Sequence, residues 1–481
     1  MSLPESSVSY GTLPGMTEGI KEQATGQPEL KRAIGPKLLL FFVVGDILGT
    51  TIYALTGQVA GKIGGALWLP FLIAFVVAFM TAFSYLELVG KYPKAAGAAL
   101  YTHRAFKIQF LTFMVAFAVM CSGITSASSA AVAFGETYMV RTFGLTASEL
   151  RTTLIAILFV LLIALINFRG VSESVKANVV LTCVELSGLL IIIAVGVYAV
   201  ANGDGDSSRL TELNTADQTW LVAISSATSL AFFAMVGFED SVNMAEECRE
   251  PARIFPKALL WGMVIAATIY ILVAITSSLL VPSDQLKTAG SSALLKVLDV
   301  GAPGFPHVVF SAIGMLAVIN SALINMMMAS RLLYGMANER IIPRALGTVH
   351  PFRRTPWVSI LFTTGLAVIL VSTVDIGGLG GTTSLLLLAV FTIVNIAVLV
   401  LRRDKVAHKH FRTPTVVAVV AACLCAYLVI PGLSGRPDRE YGVAGILLGV
   451  GLLLWVINYF YTKAKGQKVE VNPEALGKGR D

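Results

Sequence analysis

The sequence predicts an all-α integral membrane protein of about twelve transmembrane helices, and three observations carry that reading. Apolar residues fill 56% of the 481 positions and charged ones only 14%, with a mean hydropathy of +0.77, which excludes an ordinary soluble domain. Apolar stretches long enough to cross a hydrocarbon core of about 30 Å, roughly 20 residues each, recur along nearly the whole chain. Short polar, Gly- and Pro-bearing connections separate them.

The first 36 residues are rich in Ser, Gly, Pro, Glu and Thr without apolar periodicity, so they read as a flexible cytoplasmic tail rather than a cleaved signal sequence. The predicted spans then run over 38–61, 66–90, 106–134, 151–168, 177–201, 219–247, 257–281, 306–336, 357–374, 381–401, 414–433 and 441–462. A second cytoplasmic tail occupies 464–481. Most of the 36 lysines and arginines fall on one side if the amino terminus is inside, so both termini are expected in the cytoplasm of a multi-pass cell-membrane protein. That topology accounts for much of the net charge of +7, and no nucleic-acid partner is expected.

The five cysteines, Cys121, Cys183, Cys248, Cys423 and Cys425, have no metal-ligand spacing and are expected as free thiols. No HExxH, GxSxG or phosphate-loop pattern occurs, and no histidine falls in the middle of a span. An enzyme, an ATP-driven pump and a metal site are therefore not expected, which leaves transport or channel function. A proton or sodium ion is the only cofactor-like species in view, as a coupling ion.

Intramembrane acids carry the functional signal. A carboxylate at the bilayer centre costs ~2.5–3.5 kcal/mol, so each needs a partner, a wet cavity or a proton. At about 1.5 Å per residue, Asp46, Glu185 and Glu239 each lie roughly 12–13 Å from the cytoplasmic end of their spans. The bland alternative for each is a carboxylate that hydrogen-bonds nearby and merely orients its helix. Glu239 follows Gly237 and precedes Asp240, and such an adjacent acid pair fits an unwound segment facing a cavity better than a lipid-facing helix. In "FFVVGDILGTTIYALTG", Gly45 and Gly49 serve either helix packing or a helix break. At a break, freed amides of Gly49, Thr50 and Thr51 would face an anion and freed carbonyls a cation.

These residues resemble the amino acid, polyamine and organocation (APC) superfamily of permeases. The resemblance rests on Gly45, Asp46, Ile47, Leu48, Gly49, Thr50, Thr51, Ile52 and Tyr53 in the first span, and on "FFAMVGFED" with "AEECREPARIFPK" at the sixth. "YLELVGKYPKAAGAALYTHRAF" after the second span and "NSALINMMMASRLLYGMANERIIP" in the eighth add to it. It implies two inverted five-helix repeats over 37–202 and 203–403, with spans one and six broken, and two peripheral spans over 404–463. It also implies a central substrate-binding site formed by Asp46, Gly49, Thr50, Thr51, Ile52, Phe233, Ala234, Gly237, Phe238 and Glu239. First-span amides would hold a cargo carboxylate and sixth-span carbonyls its amino group. Glu87, Arg104, Glu246, Glu247 and Arg253 are inner-gate candidates by the same resemblance, with a surface ion-pair cluster as the alternative.

Two departures sharpen the expectation. Thr51 stands where many members have glycine, narrowing the carboxylate pocket or adding a hydrogen bond to it. Glu185 stands where sodium-independent relatives often place lysine, and with Asp46 it is a proton-coupling candidate, since a desolvated carboxyl can gain and lose a proton. Sodium coupling through oxygens such as that of Ser330 is the alternative. Asp46, Glu239 and Asp240 favour a cationic amino acid or a polyamine as small-molecule partner, with small neutral amino acids next. Phe233 and Phe238 serve either as gates or as packing. A non-transporting sensor or a channel are the other classes, and oligomeric state is left open.

Overall fold

The computed structural model describes residues 35–49, 51–93, 97–139, 143, 148–169, 175–214, 219–243, 248, 250–338, 342–353 and 355–464. Thr50, Glu246 and Glu247 lie outside the described residues, as do the two predicted tails except at their inner edges. No strand forms among the described residues, in keeping with apolar runs of about 20 residues: in hydrocarbon a helix pairs its backbone polar groups within its own segment.

The first predicted span is two helices, α1 (Pro36–Ile47) and α2 (Thr51–Ile63), inclined to each other by 40°. Pro36 begins α1, where its missing N–H would be unpaired in any case. Next come α3 (Trp68–Lys91), the short α4 (Gly97–Phe106), and α5 (Gln109–Ala133), which runs on as a π-helical turn, Phe134–Met139. Helices α6 (Glu149–Arg169) and α7 (Val175–Ala201) follow.

The sixth span is interrupted. Helix α8 (Trp220–Ala231) tightens into a 3-10 turn at Phe232–Met235, Val236 is extended, and the chain resumes as α9 (Asp240–Asn243). Helix α10 (Pro251–Leu280) starts earlier than the predicted 257 because Pro251 again supplies the first-turn residue. Beyond it lie α11 (Ser283–Ala289), α12 (Ala293–Gly301), α13 (His307–Asn338), α14 (Trp357–Thr373), α15 (Ile376–Leu401), α16 (Thr415–Val429) and α17 (Asp438–Ala464). Among the described residues nine helical spans are long and apolar enough to cross a bilayer, the bent α1–α2 pair makes a tenth, and α14 and α16 are shorter apolar helices.

Burial separates core from periphery. The apolar windows of the span containing α8 and of α5 are 78% and 72% buried, whereas those of α6 and α17 are 22% buried. Helices rich in Leu and Ile that stay that exposed face lipid, and the interrupted span sits at the centre. Small residues allow the close approaches there: a Cβ on Gly45 would fall 1.9 Å from the Thr182 hydroxyl of α7.

Candidate functional site

The two interruptions touch. Gly237 has φ +118°, a conformation open to glycine, and a Cβ there would sit 2.7 Å from the Asp46 carbonyl oxygen and 3.2 Å from its carboxyl carbon. The backbone of the sixth-span break is thus laid directly on the first-span acid. Polar groups released by the breaks find local partners. The Gly237 amide donates to a Glu239 carboxylate oxygen at 3.0 Å, and the Tyr270 hydroxyl donates to the Ile47 carbonyl, at the end of α1, at 2.5 Å. A carbonyl that the sequence leaves open to a cation is therefore engaged by a phenol.

Four carboxyl groups converge at this junction. Gly237, laid on the Asp46 carboxyl, donates its amide to Glu239, and Glu239 and Asp240 line one cavity. Glu185 is on the face of α7 that also carries Thr182, packed on Gly45, and Gly188, packed on Tyr53. The Tyr53 hydroxyl donates to the Glu185 backbone carbonyl at 2.6 Å, which fixes α7 against α2 without using the carboxyl group. One oxygen of Asp46 and one of Glu185 are buried without a hydrogen-bond partner. Leaving a buried acceptor unpaired costs about 1–3 kcal/mol, a cost that a proton or a donor-bearing cargo would remove.

Beside Glu239 and Asp240 a small cavity of about 20 Å³ is lined by Ser122, Gly123 and Ser126 of α5, Asn325 and Met328 of α13, and Thr383 and Leu387 of α15. It has room for about one water, so an amino acid requires a more open arrangement of the same walls. A larger groove of about 420 Å³ between Gly61, Asn214, Asp284 and Lys287 contains none of the predicted site residues.

The remaining predicted residues are distributed as follows. Thr51, Ile52 and Ala234 are buried, and Gly49 lies closest to Ser321 of α13. The Phe238 ring packs edge-on to Tyr85 at 5.7 Å and against Phe391 at 5.2 Å. Phe233 lies against Gly380. Both aromatic side chains are therefore in packing contacts. Ser330 donates to the Met327 carbonyl of its own helix at 2.9 Å.

Among the inner-gate candidates, Glu87 is buried, accepts from the Thr413 amide at 2.8 Å and pairs with Arg402 at 3.6 Å, so it braces the connection after α15. Arg253 is exposed and pairs with Glu250 at 3.4 Å, and Arg104 lies over the Tyr92 ring at 5.3 Å. Sequence reading passed over Tyr270, Thr182 and Thr383, because a tyrosine or threonine in an apolar span carries no positional signal until its partner is known.

Comparison with known proteins bears on what this junction is for. The sequence profile of a family described as amino acid permease matches residues 34–454. The branched-chain amino acid permease BcaP of Bacillus subtilis is 24% identical, over 92% of this chain and 96% of the relative. The methylthioribose transporter of the same organism is 25% identical over 84% and 90%. The low-affinity putrescine importer PlaP of Escherichia coli is 23% identical over 89% and 94%.

Proposed function

Because the chain belongs to the amino acid permease family of APC-type membrane transporters, we propose that it moves a cationic amino acid or a polyamine across the cell membrane by alternating access. It is a transporter and not an enzyme. The observation that carries the cationic reading is the gathering of Asp46, Glu239 and Asp240 about the Gly237 turn, with Glu185 on the helix packed against the first-span break. A cargo ammonium entering that field is stabilised by charge pairing in a low-dielectric site. The putrescine importer among the relatives supports the same class.

In this reading the chain has twelve spans with both termini cytoplasmic, and 37–202 and 203–403 are inverted repeats whose first helices break at Asp46–Thr51 and at Val236–Glu239. Asp46 and Glu239 flank the cargo, and Glu185 is the proton carrier. The 40° bend after α1 and the Gly237 turn support that arrangement. A neutral amino acid is the second reading, favoured by the similarity to BcaP and by the fact that Glu239 already accepts the Gly237 amide.

A thermal-shift panel of amino acids and polyamines, followed by uptake of radiolabelled cargo into proteoliposomes, tests the proposal. Saturable uptake of lysine, arginine, ornithine or putrescine with counterflow is the expected result. Saturable uptake restricted to neutral amino acids sinks the cationic reading, non-saturating flux points to a channel, and stabilisation by ligand without uptake points to a sensor.

A further inference from the structure

We infer that Arg436 is a positioning residue for the interrupted sixth span, tying α8 to α15 and having to let go whenever α8 tilts to open the site; this rests on the alternating-access reading. Arg436 lies in the connection between α16 and α17, yet its side chain is 1% exposed. Its five N–H groups meet five acceptors. Nε donates to the Leu428 carbonyl at 2.8 Å; one terminal nitrogen donates to the Gly381 carbonyl at 2.8 Å and Glu440 at 2.7 Å. The other donates to the Ser384 hydroxyl at 2.8 Å and to the Ser229 carbonyl at 3.3 Å.

The Ser229 carbonyl is the functionally interesting partner. Ser229 is near the end of α8, just before the helix tightens toward Gly237, and its carbonyl also accepts from the Ser384 hydroxyl at 2.6 Å. Arg436 and Ser384 therefore donate to the same α8 carbonyl, in the span that continues to Gly237 and the carboxylates. The charge is balanced within the same cluster. Gly381 makes room for Glu440, since a Cβ at that position would fall 2.1 Å from the carboxylate oxygen. The connection itself also lies on α8: a Cβ on Gly435 would sit 3.0 Å from the Val222 carbonyl oxygen.

A buried guanidinium is not needed for stability as such, because a buried ion pair replaced by apolar side chains of similar volume is often neutral. What an apolar pair cannot do is donate to a helix carbonyl and exchange it for another acceptor. A carbonyl held by two donors is a discrete docked position, the kind of two-state contact on which a tilting half-helix can be poised.

The test reads access to the cavity and needs no cargo, so its failure is distinct from failure of the cargo assignment, which the uptake panel reads. All five cysteines are replaced and Leu387→Cys, on the cavity wall, reports labelling by a membrane-impermeant maleimide applied from the face carrying residues 430–437. Ser384→Ala, which removes one hold on Ser229 while leaving the ion pair, is expected to raise the labelling rate about threefold, and Arg436→Met with Glu440→Met about tenfold. Arg439→Met, which removes the exposed 2.6 Å pair between α17 and Asp375 at the start of α15 and leaves α8 untouched, is expected to leave it unchanged. Equal labelling in the parental protein, Ser384→Ala and the folded double variant overturns the inference. Should the double variant fail to fold, an unchanged rate in Ser384→Ala overturns it alone.

Discussion

Two buried charge clusters lie within one core and follow opposite rules. All five N–H groups of Arg436 have acceptors and the cation has its anion. At the junction of the two breaks, Asp46 and Glu185 each keep a buried oxygen unpaired beside two further acids. A network that is fully satisfied fixes a conformation, whereas one that leaves like charges together is tolerated only where something else completes it. The difference separates the part of the core that holds helices in place from the part suited to hold a cargo.

The most damaging change should be Gly237→Ala. It places a methyl group 2.7 Å from the Asp46 carbonyl in a backbone conformation that costs an L-residue about 1–3 kcal/mol, so uptake should fall at least about 100-fold at normal membrane abundance. Near-normal uptake would mean that the contact between the breaks is not needed.

Asp46→Asn sharpens the comparison on charge. Loss of about tenfold or more in uptake of cationic cargo, with neutral cargo less affected, is expected from removing one charge pair in a partly buried site. Equal losses for both cargo classes would remove the charge-recognition reading.

Glu185→Gln addresses the proton. The parental protein should take up cargo faster with an imposed inward proton gradient, and the variant should respond about equally with and without it while retaining cargo binding by thermal shift. An unchanged proton response would assign coupling elsewhere. The smallest effect is expected from Arg439→Met, because an exposed ion pair contributes about 0–1 kcal/mol, and thermal unfolding should barely move.

Much of this was readable in advance. Long apolar runs specified helices, and Gly237 beside Glu239 and Asp240 marked the sixth-span break because adjacent acids have no cheap place on a lipid-facing helix. Three acids at one depth suggested a shared layer, and the contact the structure adds is the Gly237 turn that meets both Asp46 and Glu239. The grouping of Glu87 with Arg104 and Arg253 was less informative, since Glu87 is engaged by Arg402 and Thr413, far along the chain. Nothing local distinguishes an acid that gates from one that braces a loop.

By itself the sequence determined that this chain is a multi-pass helical membrane protein and which of its apolar segments carry acids and breaking glycines. Those properties follow from transfer free energies and backbone pairing, which each segment settles almost alone. Only the tertiary structure decided that Gly237 rests on Asp46, that Tyr270 takes the Ile47 carbonyl, and that an arginine from a loop holds α8 to α15. Those contacts join residues up to hundreds of positions apart, and in a bilayer, where apolar faces do not discriminate among neighbours, close packing and a few buried hydrogen bonds choose the partners.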